Sequence, residues 1–173
     1  MSRWCVVAVF AVFLCVFCSV LWMTGCASGG GEERTEAALP AYPAGLSAES
    51  SPQEVAEVLI NALDEEDSQV LLGLVAITHA VGEVDAIYRK YGRESDTSPA
   101  AVARLAASGW AATYAWFQPG ATRVTGERVA GDTAIVDAQG VNSSTGTRRL
   151  LQIEMVREDG LWKVKPGLQS REL

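Results

Sequence analysis

Beyond position 26 the chain has no cysteine, and over its whole length it has a single histidine, His79. The first absence excludes a disulfide or a thiolate metal site within Ala27–Leu173, and the second excludes a histidine metal cluster. Basic residues are scarce as well, with 14 Lys and Arg against 21 Asp and Glu. Arg3 is the only charge in residues 1–25, so 13 basic and 21 acidic side chains follow them, a net charge of −8. That balance repels phosphate backbones and anionic headgroups, which argues against nucleic acid as a partner and against membrane attachment through a basic patch. Any lipid contact then requires an inserted apolar chain. No glycine-rich phosphate loop follows a strand, because Gly29-Gly30-Gly31 lies in a polar stretch. The acidic run Asp64-Glu65-Glu66-Asp67 lacks the spaced carboxylates of a calcium loop and reads as a helix junction. No metal and no cofactor is expected.

What is present begins with an address. Met-Ser-Arg precedes an apolar run from Trp4 to about Trp22, followed by Met23-Thr24-Gly25-Cys26. A short basic start, a hydrophobic core and small residues before a cut site are the parts of an export signal. The run is nearly long enough to span a bilayer, so length leaves a retained helical anchor open. Met23-Thr24-Gly25-Cys26 resembles the lipobox of bacterial lipoproteins, with Met23 where Leu is usual. The resemblance implies a diacylglyceryl group on the Cys26 thiol and cleavage between Gly25 and Cys26. The new amino terminus can then be acylated. Two or three acyl chains make membrane attachment stable where one gives only marginal binding. Ala27 stands where some lipoproteins carry Asp as an inner-membrane retention signal, so the resemblance leans toward an outer membrane where the host has two. Cys5, Cys15 and Cys18 read as apolar filler of the signal.

Residues 26–49 combine three glycines, a charged cluster, Pro40 and Pro43 without apolar periodicity, the composition of a flexible tether. A domain is expected over 50–173. Ser51-Pro52-Gln53-Glu54 is a capping box with proline at the first helical position. Behind it Val55, Val58, Leu59, Ala62 and Leu63 share one helical face. Asp67 or Ser68 caps a short second helix from Val70 to about Ala76, and Val84, Ile87, Tyr88 and Tyr91 predict a third that ends at Gly92. Ser98-Pro99 opens a fourth. Its apolar arc runs from Leu105 and Trp116 through Val102 and Ala106 to Trp110, Tyr114 and Phe117, with alanines, Arg104 and Ser108 on the far side.

After Gly120 the period changes to alternation. Strands are predicted over 122–129, 133–141, 147–158 and 161–165, with turns at Gly131-Asp132, from Asn142 to Gly146, and at Asp159-Gly160. Connections this short require antiparallel neighbours, so the fold class is α+β, helices first and a meander after them. Asn142-Ser143-Ser144 matches a glycosylation pattern that has no expected meaning in a bacterium.

Three motifs in order carry a further resemblance: Ala62-Leu63-Asp64-Glu65-Glu66-Asp67 before a short helix, Val129-Ala130-Gly131-Asp132-Thr133-Ala134-Ile135-Val136, and Glu158-Asp159-Gly160-Leu161-Trp162-Lys163-Val164. Together they resemble nuclear transport factor 2-like domains over roughly residues 50–168. The resemblance implies helices packed into the concave face of a bent sheet, forming a cone, with Trp162 structural. The superfamily includes ketosteroid isomerase-like and dehydratase-like enzymes that use a carboxylate or histidine base inside the cone. The candidates for such a base here are His79 and Asp137. If the strand face of Asp137 and Gln139 points into the cone, Asp137 is buried with a raised pKa suited to base catalysis; Val136, Ala138 and Gly140 form an apolar opposite face, which favours a solvent-facing carboxylate instead. Tyr88, Tyr91, Trp110 and Tyr114 are the candidates for lining a ligand pocket, against the plainer reading that they are core.

Three functions follow: a lipid-tethered envelope module that binds a protein or a small apolar ligand without catalysis, an isomerase- or dehydratase-like enzyme, and a structural accessory of an envelope assembly. The shape of the cone interior discriminates between the first two. An exposed apolar patch on the outer sheet face would favour the third.

Overall fold

The computed structural model describes residues 39–173. The export signal, Gly25, Cys26 and the tether as far as residue 38 lie outside the described residues. Four helices, α1 (Pro52–Asp64), α2 (Ser68–Leu74), α3 (Ile77–Lys90) and α4 (Pro99–Tyr114), precede four strands, β1 (Arg123–Ala130), β2 (Thr133–Val141), β3 (Arg148–Glu158) and β4 (Leu161–Glu172). The strands form one open, curved antiparallel sheet in the order β1-β2-β3-β4. The domain is therefore α+β. Among the described residues no helix is long and apolar enough to cross a membrane.

Local chemistry starts and stops most of these elements. In α1 the Ser51 hydroxyl accepts from the Glu54 amide while the Glu54 carboxylate accepts from the Ser51 amide, so two otherwise orphaned donors are satisfied. The helix ends in a Schellman turn, the Asp67 amide donating to the Ala62 carbonyl at 2.9 Å, with Glu66 left-handed at φ 56°. The Asp67 carboxylate then accepts from the Gln69 and Val70 amides. That cap starts α2 at Ser68, earlier than the apolar spacing implies. α4 opens on the Ser98 hydroxyl with Pro99 in its first turn.

Two elements are longer than their patterns predict. α3 begins at Ile77 rather than near Val84. Its N-cap, Ala76, has no side-chain acceptor, and the end of β3 supplies one: Glu158 accepts from the Thr78 and His79 amides at 3.2 and 2.8 Å. β4 continues past Lys165 to Glu172. Between the pairs Ile153–Leu168 and Met155–Val164, residues 165–167 stand opposite Glu154 alone. Pro166 lacks a backbone donor and is accommodated in this bulge, after which pairing resumes. A second irregularity lies between Val124 and Gly126 in β1.

Alternation places Ala134, Val136, Ala138, Leu151, Ile153, Met155, Trp162 and Val164 on one sheet face, all buried. Val55 and Leu59 of α1 and Trp110 of α4 complete the core against it. The opposite face is mixed: Asp137 pairs with Arg128 and Gln152, and Glu154 with Lys165 and Gln169, with Ile135, Leu150 and Val156 among them. α4 is rotated from the expected arc. Ala103, Ala106 and Ala107 are buried with Val102, Trp110 and Tyr114, whereas Leu105 and Trp116 are 71% and 55% exposed. Small side chains let the helix approach its neighbours closely, and Trp110 fills the remaining volume.

The end of the expected tether also belongs to the domain. Tyr42 donates to the Trp162 carbonyl at 2.8 Å, the Lys163 ammonium sits 4.2 Å from the centre of its ring, and Pro43 is buried. A β-carbon on Gly73 would stand 2.6 Å from the Ala41 carbonyl oxygen, so this glycine lets the chain lie across α2. Residues 39–173 hold one contiguous core and pair every strand, a self-contained folding unit.

Candidate functional site: a groove along the fourth helix

The concave side of the sheet is filled by side chains, and a groove opens among the helices. Because α2 has only seven residues, it leaves one flank of α4 uncovered. Along that flank Arg104, Ser108, Ala111 and Ala115 are exposed, following helical spacing. The resulting groove of about 660 Å³ is floored by Leu63, Leu71, Ala107, Tyr114 and Phe117. Asp64, Glu66, Ser68 and Ser143 stand at its edge.

The floor is fixed from below. The Tyr114 and Phe117 rings stack with centroids 5.3 Å apart and planes inclined by 10°. The Tyr114 hydroxyl donates to the Asp64 carboxylate at 2.8 Å. Burial, reinforced by that carboxylate, raises the phenol well above its ordinary pKa, so it stays a neutral donor. Phe117 packs over Gly140, where a β-carbon would lie 2.7 Å from its ring. The Arg149 guanidinium sits 5.9 Å from the centre of the same ring and donates to Ser170. Asn142 organises the β2–β3 loop that carries Ser143. Its buried carbonyl oxygen accepts from the Ser144 amide and hydroxyl and from the Thr145 amide. This role, rather than a glycosylation pattern, accounts for an asparagine at that position.

Of the four pocket candidates, only Tyr114 reaches this groove. Trp110 is fully buried and donates to the Lys165 carbonyl at 3.0 Å, a packing role. Tyr88 and Tyr91 sit at the end of α3, 36% and 72% exposed, beside Ile87 and Arg93 in a separate depression. Neither tyrosine lines the groove along α4. Compared with protein-family models, curated proteins and solved structures, the chain matches none.

The candidate bases are not brought together either. His79 lies on the surface of α3 with its Nε2 3.2 Å from Glu83. Asp137 lies on the outer sheet face, bonded by Arg128 at 2.6 Å and Gln152 at 2.9 Å. The Arg128 hydrogen bond outweighs desolvation and holds this carboxyl below its ordinary pKa, the opposite of what a general base at neutral pH requires. Among the described residues no three His, Cys, Asp or Glu side chains form a group that could hold a metal ion.

Arg104, Asp64 and Phe117 are groove residues that pattern reading did not single out as a site. Arg104 and Ser108 do interrupt an alanine-rich flank, which is the trace the groove leaves in the sequence.

Proposed function

We propose that this chain is a bacterial envelope lipoprotein whose domain, of the nuclear transport factor 2-like type, is a non-catalytic binding module, its ligand lying in the groove along α4. The address rests on Met23-Thr24-Gly25-Cys26 at the end of the apolar run, which assigns acyl chains to Cys26 and a position on the outer face of a cell membrane or on an outer membrane. The superfamily reading is supported by the order of its three motifs, by helices covering one face of a curved meander, and by the burial of Trp162. The observation that carries the binding role is the groove: it is mostly apolar, of a size suited to a small ligand, and rigidly floored by Tyr114 and Phe117.

The isomerase- or dehydratase-like reading needs an open cone with a base facing a tyrosine. The cone side is closed by Val136, Ile153, Met155 and Val164, and neither His79 nor Asp137 faces Tyr88, Tyr91 or Tyr114 through a hydrogen bond. The accessory reading needs an apolar outer sheet face, and on that face Ile135, Leu150 and Val156 are interspersed with Asp137, Gln152 and Glu154 rather than forming a continuous apolar patch.

Mass spectrometry of the membrane-extracted protein tests the address, with a diacylglyceryl-modified Cys26 as the new N-terminus expected. An intact Met1 or a free thiol there overturns it. An apolar fluorescent dye tests the site: Ala111→Trp should abolish binding by filling the groove, and unchanged binding refutes the assignment.

A further inference from the structure

The groove is electrically polar along its length. Arg104 stands ten residues before Tyr114, about 15 Å along the helix axis at 1.5 Å per residue. Among the described residues Arg104 makes no ion pair and no side-chain hydrogen bond, and its side chain is exposed at that end. The acidic end is located by a contact: Asp64 is bonded to the Tyr114 hydroxyl and Glu66 also lines the groove, so two carboxylates there stand against one cation, Arg123, that acts on the same phenol. The α4 macrodipole runs the same way, positive toward Pro99 and negative toward Tyr114. Between the two ends the wall offers Ser108, Ala111 and leucine side chains, with no further charge among the lining residues.

We propose that the groove takes a linear amphiphile with an anionic head, its headgroup on Arg104 and its alkyl chain running along α4 toward Phe117. The inference rests on the groove being the binding site. A carboxylate suits the planar donor fork of arginine, as does a phosphate. A cationic head is repelled at Arg104, and the reversed orientation places an anionic head against Asp64 and Glu66. The anionic amphiphile has two sources, a free fatty acid or a single-chain phospholipid. Dodecanoate and a lysophosphatidic acid of the same chain length distinguish them by their relative affinities.

Residues 36–173, which contain the whole folding unit, are titrated calorimetrically with dodecanoate, lysophosphatidic acid, dodecanol and dodecyltrimethylammonium. At least one anionic probe is expected to bind tenfold or more tighter than dodecanol, and dodecyltrimethylammonium more weakly than dodecanol. Arg104→Ala should reduce the anionic probe to the affinity of dodecanol, and Arg104→Glu should invert the order. Arg104 is exposed, so neither change disturbs the core. Equal affinities for all four probes, each abolished by Ala111→Trp, would overturn the polarity while leaving the groove as a site. No binding of any probe would overturn both. A concentration-dependent dimer, lost in Ala111→Trp and accompanied by no probe binding, would assign the groove to a second copy of the chain and overturn the proposal.

Discussion

Replacing Gly140 with alanine probes how firmly the groove floor is held. A β-carbon there would lie 2.6 Å from the Thr122 hydroxyl oxygen and 2.7 Å from a Phe117 ring carbon. Both neighbours are 2% exposed, and neither is the free end of a flexible chain. Real β-carbons do not approach this closely, so Phe117 has to move, disturbing its stacking on Tyr114 and its place beneath the groove. Overpacking of this kind costs about 1–3 kcal/mol, and two simultaneous clashes put the variant toward the upper end. For a domain of this size, that lowers Tm by roughly 5–12 °C. Thermal and urea unfolding followed by circular dichroism measure it, with Gly126→Ala as control. Gly126 lies in β1 with nothing within 4 Å of its virtual β-carbon and without a positive φ, so its change should be neutral or slightly stabilising. Adding Phe117→Leu to Gly140→Ala should recover part of the loss. If Gly140→Ala melts with the parent protein, the reasoning about the floor is wrong.

Three further outcomes follow from single contacts. Glu66 occupies the left-handed position of the α1 Schellman turn, so Glu66→Gly should raise stability by up to about 1 kcal/mol in chemical denaturation, and a decrease would show that the carboxylate has another role. Glu158→Ala should cost about 1 kcal/mol and speed amide exchange in the first turn of α3, leaving α1 and α4 unchanged. Burial pushes the Tyr42 phenol up to about 12, and Tyr114 is raised as well. With folded values above the unfolded one near 10, their contribution is complete below about pH 10 and is lost as pH rises beyond it. Alkaline unfolding should therefore steepen above about pH 10, and Tyr42→Phe should flatten it; an unchanged slope would contradict the burial of that hydroxyl.

Much of the architecture was readable because its signals are local. Ser51 with Glu54 and Ser98 with Pro99 announce helix starts through bonds closed within a few residues. Gly131 and the Asp159-Gly160 pair, all with positive φ, mark the hairpin turns. The alternation in β2 correctly separated the buried Ala134, Val136 and Ala138 from Asp137. The candidate site was far less legible. Tyr114 was the one residue of the four aromatic candidates to reach the groove, because helical periodicity tells which residues share a face but not which neighbour that face meets.

From its residues alone the chain determined four helices followed by a four-stranded meander, and the sheet face that turns inward. Each of these depends on interactions between residues near in sequence, whose geometry the chain carries with it. Tertiary structure decided what needs distant partners. The Glu158 carboxylate lengthened α3 from about eighty residues away, and β3 held β4 in register beyond Pro166. Packing against β4 and α3 turned the alanines of α4 inward and left Leu105 outside. The groove exists for the same reason. It is the space a short α2 fails to cover, defined by where three helices stop relative to one another.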